Sequence, residues 1–301
     1  MKPGRLLLVP LLSLAAFCQD TPAPAAKPAT EAKPLLLWKA TNGKNTAYMF
    51  GSLHMGDKSF YPLPATVENA FAASNVLVLE VDIKKVNMMA LAAQVMQEGM
   101  YSGDDNLWKH ISPETRKGLE AYAAKIGISA DMFAMMKPWM ASMTLAVLPF
   151  QKAGMDPSFG LDQHFADEAD NKRIDQIESA EWQIKLFTSL SPELQEKLLA
   201  TAVDTDRDPV AESKELIVAW QSGDASRVEN LLNKYSDGPP EFERMILTDR
   251  NPHMADAVSH CLQGADHCFM VVGAAHLVGK DGVVALLARR GIKVEQMNSG
   301  N

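Results

Sequence analysis

Two β-type runs, Leu35 to Thr41 and Thr46 to Ser52, flank Asn42-Gly43-Lys44-Asn45. Asn-Gly supplies the positive φ of a tight turn, so the pair predicts a β-hairpin. Ala65 to Ala73 predicts a short helix, and Val76 to Asp82 is an unbroken Val/Leu run ending in acid, the pattern of a buried strand. From Lys84 to about Phe150 the period turns helical, with Ser112-Pro113-Glu114 as a start and Gly127 as a stop. Met132, Met135, Met136, Met140 and Met143 recur near helical spacing; core filling is the plain reading, an adaptable binding surface the other.

Further along, Gly160 to Asp170 predicts a helix with Asp162 near its start, read as an N-cap ahead of a ligand, and Lys172 to Ile177 a short strand ending at Glu178. Ser179 and Ser191-Pro192-Glu193 open two more helices, and helical patterns run on to Tyr235. Asn251-Pro252 starts another that stops at Gly264. Cys268 to Val272 is a strand, about Gly282 to Arg290 a helix, and Ile292 to Gln296 a last strand. The chain is therefore strand-rich, helix-rich and strand-rich again. That order predicts a three-layer α/β fold, a central mixed sheet built from both chain ends, with a large helical insertion at about 84–245 in a single domain, 35–301.

The first residues change the picture of where this chain works. Lys2 and Arg5 precede the apolar run Leu6 to Leu14, too short for a membrane span and shaped like a signal peptide. Residues 1–18 are read as that leader, with Cys18 a candidate lipid-anchor site, and residues 19–34 as a Pro/Ala linker. An exported, periplasmic protein is expected. Cys261 and Cys268 then remain as an even pair in an oxidising compartment: a disulfide is expected, with free thiols or a thiolate metal site as alternatives. The net charge of −8 and the absence of a basic stripe leave nucleic acid without an electrostatic footprint.

Candidate chemistry lies at two similar segments, MFGSLHMGD (49–57) and VVGAAHLVG (271–279), each a strand, Gly, two residues, His. Each sets an imidazole past a strand's C-terminal end, where open α/β sheets carry their ligand crevice. Glu80 and Glu178 occupy equivalent strand ends. His54 and His276 with one carboxylate make a ligand set for a divalent transition metal, and the spare carboxylate a candidate general base. Arg250 is read as an oxyanion stabiliser or an ion-pair partner. His110, His164 and His253 are read as surface or core residues.

The paired Gly-x-x-His elements, with LVLEVD (77–82) and GAAHLVGKDGVVALLARRGIKVEQ (273–296), resemble the TraB/GumN family. So do Lys137-Pro138-Trp139, Gly160-Leu161-Asp162, Ile177-Glu178 with Gln183, and Arg250-Asn251. The resemblance covers roughly Leu36 to Met297 and implies an erythromycin-esterase/ChaN-like α/β fold. Through the Tiki proteases it also implies a metal-dependent hydrolase using manganese or cobalt, with zinc as a further candidate. Its metal ligands would be His54, His276 and Glu80, with Glu178 and Arg250 as lesser catalytic candidates. A peptide or small molecule would be the substrate. Two other readings stay open: a metal- or haem-binding envelope protein without catalysis, and a metal-independent esterase using His54 as base.

Overall fold

The computed structural model describes residues 35–203, 206–235 and 238–297. The expected leader, the linker and Cys18 lie outside the described residues. Among those described, six strands form one sheet: β1 (Leu37–Thr41), β2 (Thr46–Ser52), β3 (Val76–Leu79), β4 (Arg173–Gln176), β5 (Cys268–Gly273) and β6 (Lys293–Gln296). Their spatial order is β4-β3-β5-β2-β1-β6. β4, β3, β5 and β2 pair in parallel, while β1 runs antiparallel to both β2 and β6. The α/β class and the mixed sheet are as expected.

Local chemistry explains the hairpin. Gly43 takes φ +93°, and the Asn42 side chain accepts from the Lys44 and Asn45 amides at 3.3 and 3.0 Å. β3 is buried throughout, as its unbroken apolar run requires, whereas the sheet edges β4 and β6 place Arg173, Lys293 and Glu295 in solvent. The strand expected through Asp82 ends at Leu79, although the Glu80 carbonyl still accepts the Glu178 amide at 2.8 Å. Behind the site, Phe50 packs against Phe165, Phe269 and Trp220 with ring centroids 5.5, 6.1 and 6.4 Å apart.

The stretch 84–245 is not one appendage. It supplies the edge strand β4, and its helices Leu161–Asp167, Pro209–Ser222 and Ala225–Tyr235 join the main core. Other parts build two satellite cores, one around Trp139, Phe187 and Phe242, the other around Leu119, Phe133 and Leu199. The methionine stripe divides. Met140 and Met143 pack on the first satellite core and Met136 on the second, but Met132 and Met135 are 45% and 39% exposed, so core filling does not describe them. Cys261, near the end of the helix Asn251–Gln263, is disulfide-bonded to Cys268 at the start of β5. Among the described residues no helix is long and apolar enough to cross a membrane.

Candidate functional site

Three neighbouring parallel strands deliver the three expected side chains to one end of the sheet. Ser52 of β2 lies opposite Gly273 of β5, and Leu79 of β3 opposite Val271 of β5. His54 follows β2 by two residues, Glu80 follows β3 directly, and His276 sits in the single turn Ala274–Leu277 after β5. This is the crevice outside the carboxyl ends of the strands. A Cβ built on Gly273 would lie 3.5 Å from Glu80 Oε1, 3.6 Å from His276 Cδ2 and 3.7 Å from His54 Nε2. Glycine thus leaves open the space that the three groups share. At Gly160 a Cβ would meet the His54 carbonyl oxygen at 2.3 Å, so the helix Leu161–Asp167 can approach the His54 loop only without a side chain there.

Each imidazole is held from behind. His54 Nδ1 donates to Asp162 Oδ2 at 2.8 Å, and the Ser52 hydroxyl donates to the other oxygen at 3.0 Å. His276 Nδ1 lies 2.7 Å from Asn251 Oδ1, while Asn251 Nδ2 donates to the Asp281 carbonyl at 2.8 Å. A carbonyl can only accept, so the amide is oriented, its oxygen faces the ring, and His276 Nδ1 carries the proton. Nε2 of that neutral ring is then an acceptor, 3.8 Å from Glu80 Oε1.

Behind Glu80 stands Arg250, a fully buried guanidinium. It donates through Nε to Glu178 Oε1 at 2.8 Å, and through Nη2 to Glu178 Oε2 at 2.7 Å and to Glu80 Oε2. Its Nη1 donates to the Ile246 carbonyl at 2.9 Å, within the π-helical turn Arg244–Thr248. Gln183 donates to both carboxylates, at 3.3 Å to Glu80 and 2.9 Å to Glu178. Glu80 Oε1 accepts the Gly273 amide at 2.7 Å.

The two rings differ in charge. Burial disfavours the charged form of His54, but the Asp162 carboxylate outweighs it and raises the ring to about 9. Burial drives His276 down to about 3; Glu80 opposes this, and Arg250 and His54 add to it. Burial alone would raise Glu80, yet Arg250 first, then the two imidazoles and the Gly273 amide, hold it well below the usual carboxylate range.

Among the described residues no group of three or more His, Cys, Asp or Glu side chains is arranged to hold a metal ion as it stands. The donor set nonetheless fits a divalent transition metal in kind. Two imidazoles, each fixed by an oxygen at Nδ1, and a carboxylate clamped by arginine surround a space that a methyl group at Gly273 would fill. Of the three carboxylates, Glu80 and Glu178 face the Arg250 guanidinium and Asp162 faces the His54 ring.

The sequence-derived residues His54, Glu80 and His276 therefore converge. Arg250 is an ion-pair partner of both acids, one of its two expected roles. Glu178 gives both oxygens to Arg250 and Gln183, which suits it to positioning more than to general-base work. Asp162 needs correcting: Gly160 is the N-cap of its helix, and the Asp162 carboxylate orients His54. Asn251, read only as a helix start, orients His276. Both sit in segments that carry the family resemblance, the one signal that flagged them. His164 is half-buried with its ring 4.7 Å from that of Tyr61, and plays no part in the ligand set.

The imidazoles also floor a cavity of about 70 Å³. Its walls come from the helices Pro138–Lys152, Pro209–Ser222 and Ala225–Tyr235, through residues such as Val147, Phe150, Leu216 and Leu232.

The TraB/PrgY/gumN family model matches residues 36–296, nearly all of the described chain. The uncharacterized protein YbaP of Shigella flexneri is 23% identical over 263 residues, covering 81% of this chain and 89% of that protein. YbaP of Escherichia coli (strain K12) matches with the same identity and coverage. No solved structure matches the chain. With both Gly-x-x-His elements inside the matched span, the chain belongs to the TraB/PrgY/gumN family.

Proposed function

We propose that this protein is an exported, metal-dependent hydrolase acting on peptide-like substrates, with His54, His276 and Glu80 as the metal ligands. One observation carries the reading: two imidazoles from separate strand ends, each locked at Nδ1 by an oxygen, meet one arginine-clamped carboxylate. Outer hydrogen bonds of this kind fix ring orientation in metal sites. A bound divalent cation, manganese or cobalt in the first instance and zinc in the second, supplies Lewis acidity and draws the proton affinity of a water toward neutrality. Arg250 keeps Glu80 ionised and stops its carboxylate from turning. Asn251 keeps the His276 acceptor nitrogen on the cation side. The Cys261–Cys268 disulfide supports export to an oxidising compartment such as the periplasm.

A second reading draws on the His54–Asp162 pair: a carboxylate-backed imidazole is also the arrangement of a general base in metal-independent ester hydrolysis. One experiment separates the two. The mature protein is gently dialysed, its metal content measured, and a peptide library offered with added manganese or cobalt. Cleavage that EDTA stops, and that His54→Ala and His276→Ala each abolish while the variants stay folded, supports the proposal. Glu80→Gln, which keeps shape and removes charge, should impair cleavage even where metal is retained. Ester hydrolysis indifferent to EDTA favours the metal-independent esterase. Tight metal or haem binding with no cleavage makes the protein a binding protein instead.

A further inference from the structure

The cavity over the two imidazoles points to the side chain that this site selects. Its about 70 Å³ is far below the several hundred Å³ of pockets that enclose a whole drug-sized ligand, so it takes one group of a larger molecule. Its chemistry is one-sided. Val147, Phe150, Leu216 and Leu232 wall it with carbon. The Trp220 indole N–H is spent on the Gly51 carbonyl at 2.7 Å, which leaves only the ring for an occupant. The Ser52 hydroxyl is spent on Asp162 at 3.0 Å. The His54 ring at the floor is already paired with Asp162 at 2.8 Å, so a polar or charged group set against these walls would exchange water for carbon, a cost that an apolar group avoids. The floor is the Gly273-Ala274-Ala275-His276 loop, so whatever fills the cavity lies next to the groups that would perform hydrolysis.

We infer that this cavity is a specificity pocket for one medium-sized aliphatic side chain, of leucine or methionine size, flanking the bond presented to His54, Glu80 and His276. The inference rests on the hydrolase reading for its context, but the binding it describes does not need catalysis.

The test is direct binding to the full exported protein by ligand-observed NMR, with N-acetyl-leucinamide, N-acetyl-phenylalaninamide and N-acetyl-aspartamide as probes. The leucine probe should bind about tenfold or more tightly than the aspartate probe, the discrimination typical of an apolar pocket. Val147→Trp, which fills the cavity, should remove leucine-probe binding with the melting temperature little changed. Leu232→Ala, which enlarges it, should move the preference about tenfold toward the phenylalanine probe. That is a gain, which misfolding cannot imitate. Equal binding of all three probes, or Leu232→Ala leaving the order unchanged, overturns the pocket assignment. Leucine-selective binding without any peptide cleavage keeps the pocket and removes the hydrolase. Cleavage indifferent to the flanking side chain does the reverse.

Discussion

The two Gly-x-x-His elements share a backbone plan and part in their electrostatics. Both follow parallel strands that lie side by side, and both are fixed at Nδ1 by an oxygen from elsewhere in the chain. For His54 that oxygen is a carboxylate, and the ring is raised to about 9; for His276 it is an amide, and the ring falls to about 3. The motif places an imidazole, but the partner decides its charge. In the metal-free protein one ring is then a proton holder and the other a lone-pair donor, although four residues of sequence describe them alike.

The largest expected effect comes from the group both rings share. Arg250→Met leaves Glu80 and Glu178 buried without their counter-charge, which should cost about 3–5 kcal/mol in stability, read from denaturant melts. Arg250 also depresses both imidazoles, so any folded variant should show His54 and His276 titrating higher. A variant of unchanged stability would mean that the clamp is not what orders Glu80.

Exchanging the partners should collapse the contrast. Asp162→Asn gives His54 the neutral partner that His276 has, and its proton affinity should drop by roughly 1–3 pH units. Asn251→Asp should raise His276 in the same way. NMR titration of the ring protons checks both; if Asp162→Asn leaves His54 near 9, the carboxylate is not the cause.

Stability against pH follows from the same pair, with opposite signs. His54 is raised above the ordinary 6.5, so its contribution is whole below that value and fades as pH climbs toward 9. His276 is lowered, so its contribution is whole above 6.5 and fades as pH falls toward 3; the depressed Glu80 adds to that acid loss below its ordinary 4.5. The metal-free protein should be most stable near neutrality. Asp162→Asn should flatten the alkaline limb alone, and an unchanged alkaline limb in thermal melts would place its origin elsewhere.

A smaller effect belongs to the disulfide, which anchors the second element where a hairpin turn anchors the first. It closes a loop of sequence separation 7, so Cys261→Ser with Cys268→Ser should cost about 2 kcal/mol on the chain-entropy account. The titration of His54 should not move.

What the sequence made legible was local. The Asn-Gly turn, the apolar strand before Glu80, the helix starts at Ser179 and Asn251 and both Gly-x-x-His strand ends are each written in a handful of adjacent residues. The cysteine pair was legible through its context. Asp162 and Asn251 were not, because a carboxylate in a first helical turn reads as a cap and an asparagine before proline as a helix start. Nothing nearby records a ring 108 residues from Asp162 or 25 from Asn251. The division of 84–245 among three cores was hidden for a like reason: helical period marks which face is apolar, not which core receives it.

The place of β5 in the sheet bears on how the molecule is assembled. Its neighbours β2 and β3 are made early, yet the strand that joins them begins at Cys268, long after both along the chain. Until then each has a bare hydrogen-bonding edge facing a gap. The sheet closes only when a late segment threads between two early ones. Such distant pairing slows folding, and a chain cut short before β5 would present two apolar edges ready to pair with other chains. Site and sheet are therefore completed by the same event, since the strand that fills the gap also brings His276.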